Sequence, residues 1–380
     1  TTTRERMSAV SSPAVLFGGP SPEHDVSILT GLQAAHTLSQ GGAPVTAIYW
    51  AKTGDFFSVD PGLEGEAFLD GAPKGARELK LAAWAGGFVA AKGGLMGKER
   101  PLEISAVVNC CHGGPGEDGT LQGALDLAGV AYTGPSVAGA GLGMDKLAFA
   151  GAVAAAALPT LPRALVEPGR AAPWATPGPF IVKPRFGGSS IGIEVVEDWA
   201  TACALAKDSV HLRRGAVAEP YLPASYDLNV AVRTWPELQL SAIERPLRSP
   251  GSSEILGYKD KYLGGDGMVS APRELPADIP EELEKAIRDA AVSVGALALV
   301  RGVARIDFLV DDGNWYVNEV NTIPGSLAKY LWVDPAPVPF PTLLADLLVE
   351  AVRRPTFRPD ATGADGTLLR SAASIARKLG

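Results

Sequence analysis

The stretch "VARIDFLVDDGNWYVNEVNTIPG", residues 303–325, constrains the fold of this chain more than any other. Ala304, Ile306, Phe308 and Val310 alternate with Val303, Arg305, Asp307 and Leu309, the period of two that sends successive side chains of a strand to opposite faces. Asp311, Asp312, Gly313 and Asn314 read as a turn, after which Val317, Glu319 and Asn321 share a face of the returning strand. The segment is therefore predicted to be a β-hairpin with one face for a core and one polar face bearing Arg305, Asp307, Glu319 and Asn321. Two carboxylates and an amide are the hard oxygen donors that Mg²⁺ takes when substrate phosphates complete its shell. Arg305 adds a positive charge that an anionic substrate beside a metal needs. A solvated polar hairpin face is the alternative these residues alone leave open.

Around this hairpin the chain reads as α/β followed by α+β. "AVLFGG" is a short buried strand, the helix pattern of "HDVSILTGLQAAHTLSQGG" follows, and "PVTAIYWA" and "AVVNCCHGG" are further strands, predicting an open, mostly parallel layer over 14–134. Strands in "FIVKPRFGGSSIGIEVV" and "GAVAEPYL" around a helix near "WATACALAKD" form a small unit over 135–219. "YDLNVAVRT", "LQLSAIERPL", the helix "PEELEKAIRDAAVSVGALAL" and the hairpin form a larger unit over 220–354. Residues 1–13 and 355–380 have the composition of mobile termini, although "LLRSAASIARKLG" has the makings of a short helix.

A length of 380 residues is enough for several subdomains with an ordinary core. The net charge of -8, with no clustered Lys and Arg, argues against a nucleic-acid surface and for small-molecule partners. Cys110, Cys111 and Cys203 give neither a disulfide framework nor metal-ligand spacing, which suits buried thiols in a reducing cytoplasm. The opening residues lack an apolar signal core and no run of eighteen or more apolar residues occurs, so no membrane association is expected. The most apolar window, "LAFAGAVAAAALPTLP", is cut by Pro159 and predicts a buried Ala-rich helix.

Three further segments have the makings of a site. "KPRFGGSSIG" (183–192) can offer backbone N–H groups around Ser189 and Ser190 to phosphate oxygens, with Lys183 as a point charge. A plain Gly-rich hairpin is the competing reading, and no Walker A spacing exists anywhere in the chain. "GGPSPEHDVS" (18–27) and "HGGPGEDGTLQG" (112–123) each put glycines after a strand and acids before a helix, where ligands are oriented by helix N-termini and fixed carboxylates. His24 or His112 taken alone reads as a satisfied structural histidine, and four histidines make no multi-His zinc centre.

In their order, "GGPSPEHDVS", "HGGPGEDGTLQG" with "YTG", "GMDK", "KPRFGGSSIG", "GYKDKY" and "RIDF…NEVNTIPG" resemble the D-alanine–D-alanine ligase family of ATP-grasp enzymes, from Val15 to about Asp334. The resemblance implies an ATP-grasp fold behind an N-terminal Rossmann-like (pre-ATP-grasp) domain. It implies ATP and two Mg²⁺ (or Mn²⁺) gripped between the small and C-terminal units, D-alanine as the amino-acid substrate, peptidoglycan precursor synthesis in the cytoplasm, and a homodimer. It assigns Lys146, Lys183, Ser189, Ser190 and Lys261 to ATP, Glu219 and Leu222 to the adenine, and Asp307, Glu319 and Asn321 to the metals. Arg305 and the Gly325 backbone would stabilise the developing charge, Glu23 would pair with the ammonium of the first amino acid, and His112 would lie near it. Glu23, Ser189 and Tyr262 would form a hydrogen-bonded triad under a lid near 255–270.

Two positions depart from the family pattern. Asp227 of "ASYDLNV" reaches the ribose position only with one inserted residue. Tyr330 stands where the family usually places a serine for the carboxylate of the second amino acid, which leaves Ser326, Lys329 or a backbone N–H for that carboxylate. A relative joining D-alanine to a D-hydroxyacid or to another amino acid is therefore the alternative activity. A nucleotide-binding regulatory module without turnover and a kinase-like phosphotransferase are the readings from other classes.

Overall fold

Three β-sheets carry the chain in a computed structural model, which describes residues 10–42, 44–83, 87–90, 100–167, 169, 174–247, 272–335, 337–357 and 359–371. The first contains β1 (Pro13–Gly18), β2 (Thr46–Trp50), β3 (Phe56–Val59), β4 (Arg77–Ala82), β5 (Gly87–Ala90) and β6 (Ala106–Asn109), in the order β5-β4-β3-β2-β1-β6. β1 is buried at every residue, as its unbroken apolar run requires of a strand covered on both faces. It pairs in parallel with β2 and β6. The expectation of a mostly parallel layer fails beyond them: β2–β3, β3–β4 and β4–β5 are antiparallel. The cause is the tight turn after β2, where Ala51 N–H donates to Asp55 O at 2.8 Å, because a parallel return needs a crossover of about a dozen residues. Helix α1 (His24–Gln40) lies so close to β1 that a Cβ on Gly31 would stand 2.3 Å from the Cβ of Phe17.

After α2 (Thr120–Ala128), the Ala-rich window does not form the buried helix expected of it. Asp145 ends α3 (Val137–Met144) and caps α4 (Lys146–Ala155), accepting from the N–H groups of Leu147 and Ala148 at 3.1 Å each. Only Lys146, Phe149, Ala150 and Val153 of α4 are buried, one helical stripe. Small alanines on the other side tolerate water, so a high apolar count did not mean burial all round.

The second sheet comprises β7 (Ala164–Val166), β8 (Phe180–Pro184), β9 (Glu194–Val196) and β10 (Ala216–Pro220), ordered β7-β10-β8-β9 and covered by α5 (Trp199–Asp208). The third comprises β11 (Tyr226–Arg233), β12 (Gln239–Pro246), β13 (Arg273–Glu274), β14 (Val303–Asp311) and β15 (Asn314–Asn321), ordered β13-β12-β11-β14-β15, with α6 (Glu281–Leu297) packed on its apolar face. Asp312 and Gly313 both adopt left-handed backbone (φ 46° and 75°), the two-residue turn that suits the twist of a hairpin. Asp307 pairs with Glu319 but Phe308 pairs with Val317, so Asn318 is an extra, bulged residue. The bulge overturns one expectation: Val317 is not on the polar face but buried with Phe308. Glu319 and Asn321 remain opposite Asp307 and Arg305.

α7 (Phe340–Arg353) buries Leu343, Leu344, Leu347 and Leu348 in a cluster shared with Val15, Phe17, Val303, Ile323 and Leu327. This common core fixes the end of the hairpin against the first sheet. A short α8 (Thr367–Ser371) overlaps only the start of the segment expected to form a terminal helix, while residues 1–9 and 372–380 lie outside the described residues. Cys110 and Cys111 are fully buried and Cys203 partly so, all as free thiols. Among the described residues no helix is long and apolar enough to cross a membrane.

Candidate active site

One cleft runs between the second and third sheets and is closed at one end by the loops after β1 and β6. Period-two geometry and the bulge deliver Arg305, Asp307, Asn318, Glu319 and Asn321 to its floor. β8 and β10 deliver Lys183 and Glu219 to the facing lip, and the start of α4 delivers Lys146. The lining also includes Glu23, His112, Ser189, Ser190, Leu222, Asp227, Gly325 and Tyr330. Ser326 and Lys329 do not line it: the Ser326 N–H donates to Thr30 Oγ1 at 3.1 Å, and Lys329 Nζ lies 4.9 Å from the centre of the Phe340 ring. Ser326, Leu327 and Ala328 are all left-handed (φ 49° to 53°), a strained run that turns Tyr330 towards the cleft instead. Lys261, Tyr262 and the lid lie outside the described residues.

Among the described residues, four cation–carboxylate pairs line this cleft. Lys183 is ion-paired with Glu219, Lys146 Nζ reaches Glu319 Oε2 at 2.5 Å, Arg305 grips Asp307 through two bonds of 2.7 Å, and Arg273 Nη1 stands 2.9 Å from Glu244 Oε1. Burial alone would raise the Glu219 pKa, but Lys183 and Arg163 outweigh it and hold the carboxyl below its ordinary range. Burial lowers the Lys183 pKa, partly offset by Glu219. For Arg305, Asp307 overcomes burial and keeps the guanidinium charged.

Sequence reasoning missed Arg163, which organises one lip. Its side chain is 2% exposed; Nε donates to Glu219 Oε2 at 2.8 Å, Nη1 to the Lys146 carbonyl at 2.6 Å, and Nη2 to the Asn318 carbonyl at 2.6 Å. One guanidinium thus ties β10, α4 and β15 together. The available signal was a charge inside the apolar "LPRALV". Arg185 works similarly, gripping the capping Asp145 at 2.8 and 2.6 Å.

At the N-terminal wall, Ser189 donates to Glu23 Oε1, and a Cβ on Gly113 (φ 65°) would stand 2.3 Å from Glu23 Oε2. Only glycine tolerates that approach and that φ together. Ser189 and Ser190 are both left-handed (φ 53° and 59°), which folds the Gly-rich loop over the cleft. His112 Nδ1 donates to the Ile323 carbonyl at 2.7 Å, so Nε2 accepts from Thr30 at 2.8 Å. Burial, aided by the charge of Arg305, lowers its pKa to about 4, so the ring is neutral. Glu117, quoted within a motif but not singled out, accepts from the N–H groups of Gly113 at 2.9 Å and Ile323 at 3.0 Å and from the Thr322 hydroxyl at 3.2 Å. Burial and the nearby Glu23 charge raise its pKa to about 7. His24 is a satisfied structural histidine, 2.7 Å from Gly19 O and 3.2 Å from the Tyr49 hydroxyl.

The donor set suits a hard divalent cation. Among the described residues no three His, Cys, Asp or Glu side chains gather, so the candidates are two carboxylates, Asp307 and Glu319, and the Asn321 amide oxygen. Asn321 Nδ2 donates to Asp307 Oδ2 at 3.0 Å, which turns its oxygen away from that bond. Carboxylate oxygens engaged by Arg305 or Lys146 retain further lone pairs. Two carboxylates with room for phosphate oxygens are what Mg²⁺ takes in nucleotide sites.

Known proteins resemble this chain over most of its length. The family descriptions "D-ala D-ala ligase N-terminus" and "D-ala D-ala ligase C-terminus" match residues 12–135 and 175–348. A D-alanine--D-alanine ligase of Bradyrhizobium sp. is 30% identical over 352 residues, covering 90% of this chain and 95% of that relative. One from Methylobacterium sp. is 33% identical over 364 residues, covering 90% and 91%. The crystal structure of a D-Alanine-D-Alanine Ligase from Helicobacter pylori superposes with a TM-score of 0.70 at 25% identity, covering 91% of this chain and 99% of that one.

Proposed function

The chain belongs to the D-ala D-ala ligase family, and from that membership we propose that its cleft joins two D-alanines at the expense of ATP, supplying the dipeptide for peptidoglycan precursors. The carboxylate of the first D-alanine attacks the γ-phosphorus of ATP, and the bond to ADP breaks, leaving an acyl phosphate. The amine of the second D-alanine, having given up its proton, attacks the acyl carbon, and phosphate leaves as the amide forms. Charge builds first on phosphoryl oxygens and then on a tetrahedral oxyanion, so prearranged cations and N–H donors serve better than a strong base.

In this reading Lys146 and Lys183 meet the phosphates, with the Ser189–Ser190 loop above them, and Glu219 and Leu222 meet the adenine. Asp227 also lines the cleft and is proposed for the ribose. Glu23 receives the first ammonium, with neutral His112 behind it, and Arg305 with the Gly325 backbone faces the oxyanion. Asp307, Glu319 and Asn321 would hold Mg²⁺, which when bound offsets phosphate charge. Lys261 and Tyr262 are proposed to complete the closed site, with Tyr262 joining Glu23 and Ser189. Assembly as a homodimer in the cytoplasm is proposed from the family alone, and sedimentation equilibrium tests the dimer.

The observation that carries this reading is the meeting of Lys146, Lys183, Arg305, Asp307, Glu319 and Asn321 in one cleft from four separate elements, α4, β8, β14 and β15. Relatives named for D-alanine on both sides favour it over a hydroxyacid acceptor despite Tyr330. The test is incubation with ATP, Mg²⁺ and D-alanine: one ADP per D-alanyl-D-alanine is expected, whereas ADP release only with some other acceptor would refute it.

A further inference from the structure

Three of the four ion pairs lining the cleft have a part in the proposed chemistry; the fourth, Arg273 with Glu244, has none. Its environment is built rather than incidental. The two side chains are 12% and 5% exposed, and Asn229 Nδ2 donates to the second oxygen of Glu244 at 3.1 Å. Glu244 and Asn229 are register partners on β12 and β11, so the sheet itself fixes this support. The Arg273 guanidinium lies 4.6 Å from the centre of the Tyr330 ring, and the Tyr330 hydroxyl accepts from Arg305 Nη1 at 3.4 Å. Tyr330 therefore spans two guanidiniums, touching Arg305 with its hydroxyl and Arg273 with its face, and all three line the cleft.

We propose that Arg273, held over Tyr330 by Glu244, receives the carboxylate of the acceptor amino acid. The inference rests on the ligase reading above and deepens it. The acceptor attacks the acyl carbon beside Arg305, and its carboxylate lies only two bonds from the attacking nitrogen. It must therefore be neutralised close to Arg305 but not by Arg305, whose charge the oxyanion needs. Lys146 and Lys183 sit on the ATP side, paired with Glu319 and Glu219. Arg273 is one aromatic ring away from Arg305 and has planar N–H geometry matched to a carboxylate. With five N–H donors, a guanidinium serves two carboxylates at once, so Glu244 keeps Arg273 in place while the acceptor binds. A phenol in this position also fills space that a small hydroxyl would leave open, which restricts acceptors to small α-amino acids. Stacking on a guanidinium holds the ring without a covalent tether.

The test compares dipeptide synthesis with trapping of the acyl phosphate by hydroxylamine, an acceptor without a carboxylate. In Arg273→Gln, the KM for the acceptor should rise at least roughly tenfold, as expected for loss of a charge-assisted hydrogen bond. D-Alanyl hydroxamate formation should stay within about twofold of the parent if the first step is untouched. Arg273→Lys should recover part of the loss. The unaltered enzyme should also prefer D-alanine over D-alaninamide as acceptor, a measurement independent of any variant's folding. An acceptor KM unchanged in Arg273→Gln, or equal use of alanine and alaninamide by the parent, would overturn the inference while leaving the ligase reading intact. Failure of the parent to make any dipeptide or hydroxamate would instead remove the reading on which it rests.

Discussion

Replacing Arg163 with methionine isolates how far one buried guanidinium holds the ATP side together. The change keeps the length of the apolar stem and removes the donors to Glu219 Oε2, the Lys146 carbonyl and the Asn318 carbonyl. Glu219 keeps Lys183, so its charge is not stranded, but one carboxylate oxygen and two backbone carbonyls each lose a buried donor, the Lys146 carbonyl keeping its bond within α4. Each buried acceptor left unserved costs about 1–3 kcal/mol, and the sum is capped near the ~3–5 kcal/mol typical of breaking a buried pair. The expected loss is therefore roughly 3–5 kcal/mol of unfolding free energy, read by urea denaturation. Because Lys146 and Glu219 both lose an anchor, the KM for ATP should rise on the order of tenfold, about 1.4 kcal/mol, with the KM for D-alanine little changed. Arg163→Lys should behave almost as badly, since one ammonium cannot reach three acceptors in different directions. A variant within about 1 kcal/mol of the parent, with an unchanged KM for ATP, would show that the three elements hold their places without this tie.

Three further outcomes are expected. Asp307→Asn and Glu319→Gln should each raise the Mg²⁺ concentration needed for half-maximal ADP release by more than about tenfold, because each removes a charged hard donor; a Mg²⁺ titration checks this, and unaltered curves would remove these residues from the metal site. His112, with its pKa lowered from 6.5 to about 4, contributes stability that is lost as pH falls between those values, whereas Glu117, raised from 4.5 to about 7, contributes stability that is lost as pH rises between its own. Each amounts to roughly 3 kcal/mol and the two slopes cancel between pH 4.5 and 6.5, so Glu117→Gln should become progressively less stable on acidification over that window; chemical denaturation at several pH values reads this, and a flat profile for the variant would contradict it. Glu23→Gln should raise the KM for the first D-alanine by roughly tenfold or more, as loss of a charged partner implies, with the KM for ATP within about twofold; the reverse pattern would place Glu23 on the nucleotide side.

Local chemistry made part of this molecule readable. The hairpin announced itself because alternation and a turn-forming Asp-Gly are short-range signals, and the Gly-rich and acidic motifs marked the loops that meet over the cleft. What escaped was set by distant partners. The Asn318 bulge, which swings Val317 into the core, has no signature in "WYVNEVN". Arg163 matters only because Glu219, Lys146 and Asn318 converge on it from far along the chain. Arg273 is likewise defined by Glu244 on a neighbouring strand. Tyr330 was noticed from its register, yet its meaning depends on the guanidiniums at its face and hydroxyl. The antiparallel half of the first sheet was missed because a tight turn after β2, rather than any periodicity, decides strand direction.

The polar face of the 303–321 hairpin, opposite Lys146 and Lys183, is proposed to activate a carboxylate by phosphorylating it. Turnover with D-alanine labelled with ¹⁸O in its carboxyl group tests this most directly, by mass spectrometry of the released phosphate. Direct attack of that carboxylate on ATP predicts one labelled oxygen in each phosphate formed with dipeptide. Dipeptide accompanied by unlabelled phosphate would contradict it.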